Sequence, residues 1–290
     1  MLLTDDVRVT CREIAGSARH VRIDLDRLSE LDPGEPPALD AERHYREGTP
    51  AEVAHFMLVL DSINFGSGWF PTLRKRPGMS GYFTVASSLT DFWRSEGGWD
   101  SGELRALTAE DVAPVLGQEP AHELMALYAQ ALRDLGRFLD GRGALEVVAE
   151  AGGSAERLAS TLADGMTFFD DVGFWKRAQI VPNDLALAGV ADFDDLDRLT
   201  IFADNLVPHV LRVDGALVYE RALAARIDAG DLLPPSEEER EIRGCAVHAC
   251  ELLSARLGVP ARLLDVALWT KGQAPRYKRV PRHRTRTVFY

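Results

Sequence analysis

Cysteine, lysine and long apolar runs are what this 290-residue sequence has least of. Three cysteines (Cys11, Cys245 and Cys250) cannot build a disulfide framework, so a reducing cytoplasm is the expected compartment. No apolar stretch approaches the ~20 residues that a membrane helix needs. The opening MLLTDDVRVTCREIAG has no basic segment ahead of an apolar block, so no signal peptide is expected. There is no GxGxxG, GxxxxGK[ST] or HExxH, and Gly66-Ser67-Gly68 is too little for a nucleotide-binding loop. Cys245, His248 and Cys250 lie close in sequence, but on a helix Cys250 turns away from the other two. One ion cannot collect all three, and buried core cysteines are expected.

What is present is an ordinary globular composition, 46% hydrophobic and 27% charged, which excludes collagen-like and wholly disordered chains. The length suits one large domain or two closely packed ones. The net charge of −12 disfavours a long track of phosphate contacts and hence a polynucleotide partner. The charge is also uneven. Six of the 33 basic residues and none of the 45 acidic ones lie between Arg276 and Tyr290, which leaves 27 against 45 in the rest of the chain. A small cationic patch on an acidic body suits a small anionic ligand, or simply neutralises that body.

Helical periodicity dominates. Thr49-Pro50-Ala51-Glu52 is a capping box that opens a helix carrying Val53, Phe56, Met57 and Leu60 on one face. Ala121 to Leu139 repeats the pattern. Ser236 with Glu239 is a second capping box, before a helix that Gly258 closes, and Pro260 opens another. The Leu199–Leu211 stretch reads as a largely buried helix with Asp204 inside it. Extended backbone is expected only over Ala216–Tyr219 and Arg284–Val288. DPGEPP at 32–37 reads as a loop, and no internal repeat is visible. The fold class expected is mostly α.

Three segments carry candidate chemistry. In Gly173-Phe-Trp-Lys-Arg-Ala-Gln-Ile180, Lys176 is one of only four lysines and follows two aromatic residues. Such a lysine changes its proton affinity by desolvation, holds an anion as a compact charge, or snorkels with its stem over the rings. Asp204 stands four residues before Pro208, whose missing N–H leaves the Asp204 carbonyl without its helical partner. Its carboxylate either caps backbone amides or faces a pocket. Asp61-Ser-Ile-Asn-Phe-Gly-Ser-Gly-Trp-Phe-Pro71 mixes polar, aromatic and glycine residues, so it either sandwiches a planar base or plugs the core.

Taken in order, these segments resemble the queuosine salvage family, the queuosine 5′-phosphate N-glycosylases. The likeness is carried by Asp61-Ser-Ile-Asn-Phe65 with Trp69, Ser80-Gly-Tyr-Phe83, Phe174–Ile180, Phe202–Leu211, Glu241-Ile-Arg-Gly-Cys245 with Glu251-Leu-Leu253, and Val280–Tyr290. It runs from about residue 50 to the last residue and is weakest in the first forty and around 98–160. Asn205, Leu206 and His209 depart from the family's usual residues after its aspartate.

The resemblance implies a compact helical fold similar to helix-hairpin-helix DNA glycosylases. The single domain it implies spans residues 1–290, with the first ~40 residues as a peripheral helical segment. It implies release of queuine from queuosine 5′-phosphate without metal or organic cofactor, with Asp204 as the key carboxylate and Lys176 as the motif lysine. Within the matched motifs, Phe65, Trp69, Trp175 and Phe202 are candidates to stack on the base, and Asp61 and Asn64 to pair with its edge. Arg177, Arg282, His283 and Arg284 are candidates for the phosphate. Protein partners are not indicated. Two other readings are a DNA or RNA base-excision glycosylase on the same scaffold and a non-catalytic helical binding protein associated with tRNA.

Overall fold

In a computed structural model that describes residues 2–40 and 42–290, the apolar stripes read from the sequence become helices packed on one another. Among the described residues there are fifteen α-helices and one two-stranded sheet, so the mostly-α class holds. Among the described residues, no helix is long and apolar enough to cross a membrane. Nine of the helices position the site: α1 Leu3–Ser17, α2 Pro50–Ser62, α3 Gly81–Glu96, α4 Glu123–Leu139, α5 Ala155–Gly165, α6 Lys176–Leu187, α7 Leu206–Val213, α8 Glu237–Leu257 and α9 Ala261–Lys271.

Local signals explain where these helices start and stop. Thr49 caps α2 with the full box: its hydroxyl accepts from the Glu52 amide and the Glu52 carboxylate accepts from the Thr49 amide. Ser236 completes only half of the expected second box. Its hydroxyl accepts from the Glu239 amide, but the Glu239 carboxylate is buried and turns towards Arg243. Gly258 ends α8 with φ 68°, a left-handed cap that glycine adopts without strain. The N-terminal helix α1 packs on α8 through Leu3, Val7 and Cys11, and Gly244 makes the approach close. A Cβ at Gly244 would lie 2.7 Å from Ile14 Cγ2. Each such fully buried aliphatic side chain stabilises the fold by about 1.5–3 kcal/mol relative to exposure.

Three local expectations change. Strand β1, Val21–Ile23, pairs antiparallel with β2, Leu217–Tyr219, so the second strand appears as read while its partner carries no clear alternation in the sequence. The Arg284–Val288 stretch pairs with no strand and threads between elements, with the Leu233 amide donating to the Arg284 carbonyl. The 199–205 segment is not helical: α7 begins only at Leu206. The break falls there because the Asp204 carboxylate takes the amides of Leu206 and Val207, starting the helix in place of an upstream turn. All three cysteines are buried.

Candidate active site

Helix α6 supplies one wall of a cavity of about 1120 Å³. Lys176, Ile180, Asn183, Asp184 and Leu187 line it, a spacing that puts all five on one face of the helix. Opposite are Asp265, Val266 and Trp269 of α9, and the start of α3 adds Tyr82 and Phe83. Asp204, Asn205, Leu206 and His209 form another side, with Arg282 and Arg284 from the C-terminal segment beyond them. The cavity is therefore assembled from segments more than 200 residues apart.

Asp204 is half-buried on this wall. Its Oδ1 accepts from the Leu206 amide at 2.7 Å and the Val207 amide at 3.1 Å. Oδ2 takes no hydrogen bond from the described residues. One oxygen caps α7, and the other is unbonded on a residue that lines the cavity.

Lys176 opens α6 on an unusual turn. Trp175 before it adopts φ 43°, a left-handed conformation that costs an aromatic residue about 1–3 kcal/mol and is held by its surroundings. The amides of Phe174 and Trp175 both donate to the Asp171 carbonyl. The Asp171 carboxylate is paired with the buried Arg243 of α8, whose Nε donates to the Ala203 carbonyl at 2.9 Å. Lys176 Nζ donates to the Asn64 carbonyl at 3.1 Å. Burial pulls its pKa down to about 8, with nearby Asp204 partly countering that shift.

Asp265 is a functional candidate that the sequence reading missed. It lies on α9, accepts from the Phe202 amide at 2.8 Å and lines the cavity. Burial first, then the neighbouring Asp204 charge, push its carboxyl well above the ordinary carboxylate range. It was illegible because an aspartate within an apolar helix resembles a solvent-facing residue until the packing is known. Tyr82, Phe83 and Trp269 were also missed. Trp269 meets each of the other two rings edge-on at 5.5 Å, making an aromatic corner.

The other sequence candidates divide. Asn64, Phe65, Phe202, Arg282 and Arg284 line the cavity. Arg282 makes no hydrogen bond or ion pair with the described residues and is close enough to Asp204 to feel its charge. Arg284 donates to the Gly230 carbonyl. Trp69 lies elsewhere: its indole donates to Glu123 at 2.7 Å. Trp175 is also off the wall, as the cap of α6.

Arg177 is fully buried between the Phe65 and Phe169 rings. It donates to the carbonyls of Ser62, Phe168 and Val288, so its guanidinium is already committed to structure. Asp61 is fully buried behind the wall, with Asn64 donating to it at 3.5 Å. His283 is buried with a pKa driven down to about 3, chiefly by burial, so it stays neutral and is unsuited to gripping an anion by charge. Asn205 and His209, where the motif departs from the family pattern, bond to the carbonyls of His283 and Tyr277 and fasten the C-terminal segment onto α7.

Chemically, the wall offers one helix-capping carboxylate with an unbonded oxygen, a second carboxyl that burial and the Asp204 charge push above the ordinary carboxylate range, and the basic side chains of Lys176 and Arg282. Known proteins point the same way. The queuosine salvage protein family matches over residues 43–290. A queuosine 5′-phosphate N-glycosylase/hydrolase of Sphaerobacter thermophilus is 34% identical over 98% of this chain and 97% of its own. One of Dictyostelium discoideum is 28% identical over 98% of each chain, and one of Mus musculus is 32% identical over 65% of this chain and 63% of its own. With the family model matching residues 43–290 and the likeness to a relative running nearly end to end, the chain belongs to the queuosine salvage protein family.

Proposed function

We propose that the protein hydrolyses the N-glycosidic bond of queuosine 5′-phosphate, giving queuine and ribose 5-phosphate. The observation that carries this reading is the free Oδ2 of Asp204 on the cavity wall, with its other oxygen fixed by two amides. Cleaving the bond from C1′ to the base leaves positive charge on the sugar. A carboxylate whose position is set before the substrate arrives stabilises that charge without reorganising. Partial exclusion of water strengthens the interaction.

The bond's electron pair leaves with the base, and the base must gain a proton. Queuine is a 7-deazapurine, so protonation at N7 is not available. Asp265, whose carboxyl burial and the neighbouring Asp204 charge push well above the ordinary carboxylate range, is the proton donor in this reading. Water then attacks C1′; its oxygen stays on the sugar and its proton returns to the Asp265 carboxylate. Lys176 orders the Asn64 turn and lends positive charge near the ribose. Arg282 is the phosphate ligand, because its guanidinium is uncommitted and half-buried at the cavity edge.

No cofactor enters this scheme, and intact tRNA is not a substrate. The test is product analysis by mass spectrometry with queuosine, its 5′-phosphate and intact tRNA offered side by side. Queuine and ribose 5-phosphate from the 5′-phosphate alone support the reading. Release of a base from polynucleotide would favour the base-excision alternative, and binding without products the non-catalytic one.

A further inference from the structure

Three side chains of α7 reach across to one stretch of chain. Asn205 at the start of the helix, then His209 and Arg212, follow at intervals of four and three residues and so share a face. His209 Nε2 donates to the Tyr277 carbonyl at 2.9 Å, Arg212 Nη1 to the Pro281 carbonyl at 3.4 Å and Asn205 Nδ2 to the His283 carbonyl at 3.1 Å. The last two carbonyls belong to the residues immediately before and after Arg282.

The donors are themselves held. Asn205 is buried, and Arg212 pairs with Asp228 at 2.8 Å while its guanidinium lies over the Tyr219 ring at 5.0 Å. Two residues beyond Arg282, the Arg284 carbonyl accepts from the Leu233 amide at 2.9 Å and the Arg284 side chain donates to the Gly230 carbonyl at 2.6 Å. The backbone on both sides of Arg282 is therefore anchored, whereas its own guanidinium lines the cavity with its donors uncommitted. The helix that anchors it is the one that Asp204 Oδ1 caps through the Leu206 and Val207 amides. Asp204 and Arg282 thus take their places from the same element. In a nucleoside 5′-phosphate the ribose fixes how far C1′ lies from the phosphorus. A carboxylate that meets one and a guanidinium that meets the other must be held at a matching spacing.

We propose that Asn205 and Arg212 are positioning residues that hold Arg282 at this spacing from Asp204, and so set the preference for a nucleoside 5′-phosphate over the nucleoside. This rests on the substrate reading above, with Arg282 as the phosphate ligand. Neither side chain touches the phosphate; each acts through the carbonyl it holds. Without the Asn205 donor the His283 carbonyl is left buried and unpaired, and the segment shifts to relieve it, carrying Arg282 away from the phosphate.

The experiment measures kcat/KM on queuosine 5′-phosphate and on queuosine, with a melting temperature for each protein. The proteins are the wild type, Asn205→Leu, Arg212→Met, Arg282→Ala, and each of the first two variants combined with Arg282→Ala. Leucine is close to asparagine in shape and lacks its donor. Asn205→Leu is expected to lower the ratio of the two kcat/KM values by about tenfold, and Arg212→Met, whose bond is longer, by about threefold. The rate on queuosine should fall less than the rate on its 5′-phosphate in both. Combined with Arg282→Ala, either substitution should leave the ratio where Arg282→Ala alone puts it, because a guanidinium that is absent cannot also be misplaced. A merely structural role would lower the melting temperature and both rates alike. Asn205→Leu with the wild-type ratio overturns the proposal, as does a combined variant whose ratio falls by the product of the two single effects. If Asn205→Leu fails to fold, Arg212→Met decides by the same criteria. A wild type that hydrolyses neither compound loses the substrate reading and this proposal with it. A preference for the 5′-phosphate that is absent or survives Arg282→Ala removes Arg282 as the ligand and likewise overturns the proposal. A preference that falls with Arg282→Ala but not with Asn205→Leu overturns the positioning role alone and keeps the activity.

Discussion

Arg243 donates its Nε hydrogen to the Ala203 carbonyl at 2.9 Å while its terminal nitrogens hold Asp171. One side chain on α8 thus ties the turn that presents Lys176 to the residue immediately before Asp204. Its guanidinium also lies over the Phe174 ring at 3.9 Å, so it is fixed on several sides. Breaking this link should loosen both proposed catalytic residues together. Arg243→Met is expected to cost about 3–5 kcal/mol of stability, because Asp171 is left buried and unpaired. Arg243→Lys keeps the charge and should recover part of the stability but less of kcat, since one ammonium cannot hold Asp171 and Ala203 together. Denaturant melts set against kcat check this; a Lys variant with wild-type kcat would remove the positioning role.

Lys176 gives a pH prediction with a definite sign. Its pKa is lowered to about 8, so the ammonium predominates below that pH and the neutral amine above it. If the charge supports turnover, kcat/KM falls as pH rises through about 8. Lys176→Ala should be slower below pH 8, by about tenfold or more, and should lack that alkaline limb. Stability runs the other way. The folded lysine binds a proton less readily than the unfolded one, so its contribution to folding improves as pH rises from about 8 towards its ordinary value. Parallel activity and unfolding profiles separate the two effects.

Arg282 and Arg177 should separate as ligand and scaffold. Arg282→Ala is expected to lower kcat/KM for queuosine 5′-phosphate by about 10–100-fold while changing the rate on unphosphorylated queuosine far less. Arg177→Met should instead lower stability by about 3 kcal/mol or more, because the buried Ser62 and Phe168 carbonyls and the half-buried Val288 carbonyl lose their donor. Steady-state kinetics on both substrates, with thermal melts, decide this. Equal losses on the two substrates would release Arg282 from the phosphate.

The sequence carried the helices well where a cap and an apolar stripe agree, as at Thr49–Ser62 and over α8. It misread 199–205 because an apolar composition does not reveal that the Asp204 carboxylate intercepts the first amides of α7. Among the residues that line the cavity, Asp204 and Lys176 stand out in the sequence by their chemistry, and Phe202 and Arg282 by lying within family motifs. Trp69 and Arg177 were not separable from them, since motif membership does not tell a wall residue from one that supports the wall. Asp184, Asp265 and Trp269 gave no local signal. They become functional candidates only when α6 and α9 are brought to face each other across the cavity.

Trp269 and Trp69 offer the corresponding contrast in base binding. Trp269→Ala removes a ring from the cavity corner and should weaken queuine binding by about 1–2 kcal/mol. Trp69→Ala should lower the melting temperature through its lost packing and its bond to Glu123, with less effect on affinity. Calorimetry on both variants checks it.

In the proposed hydrolysis the charge of Asp204 is the central element, and Asp204→Asn isolates that charge, because asparagine is as good a helix cap as aspartate and can keep the bonds to Leu206 and Val207. The measurement is single-turnover hydrolysis of queuosine 5′-phosphate by this variant, beside its melting temperature. The expected result is a melting temperature close to wild type with the rate of queuine release reduced by about a thousandfold or more. A folded Asp204→Asn protein that releases queuine at the wild-type rate would contradict it.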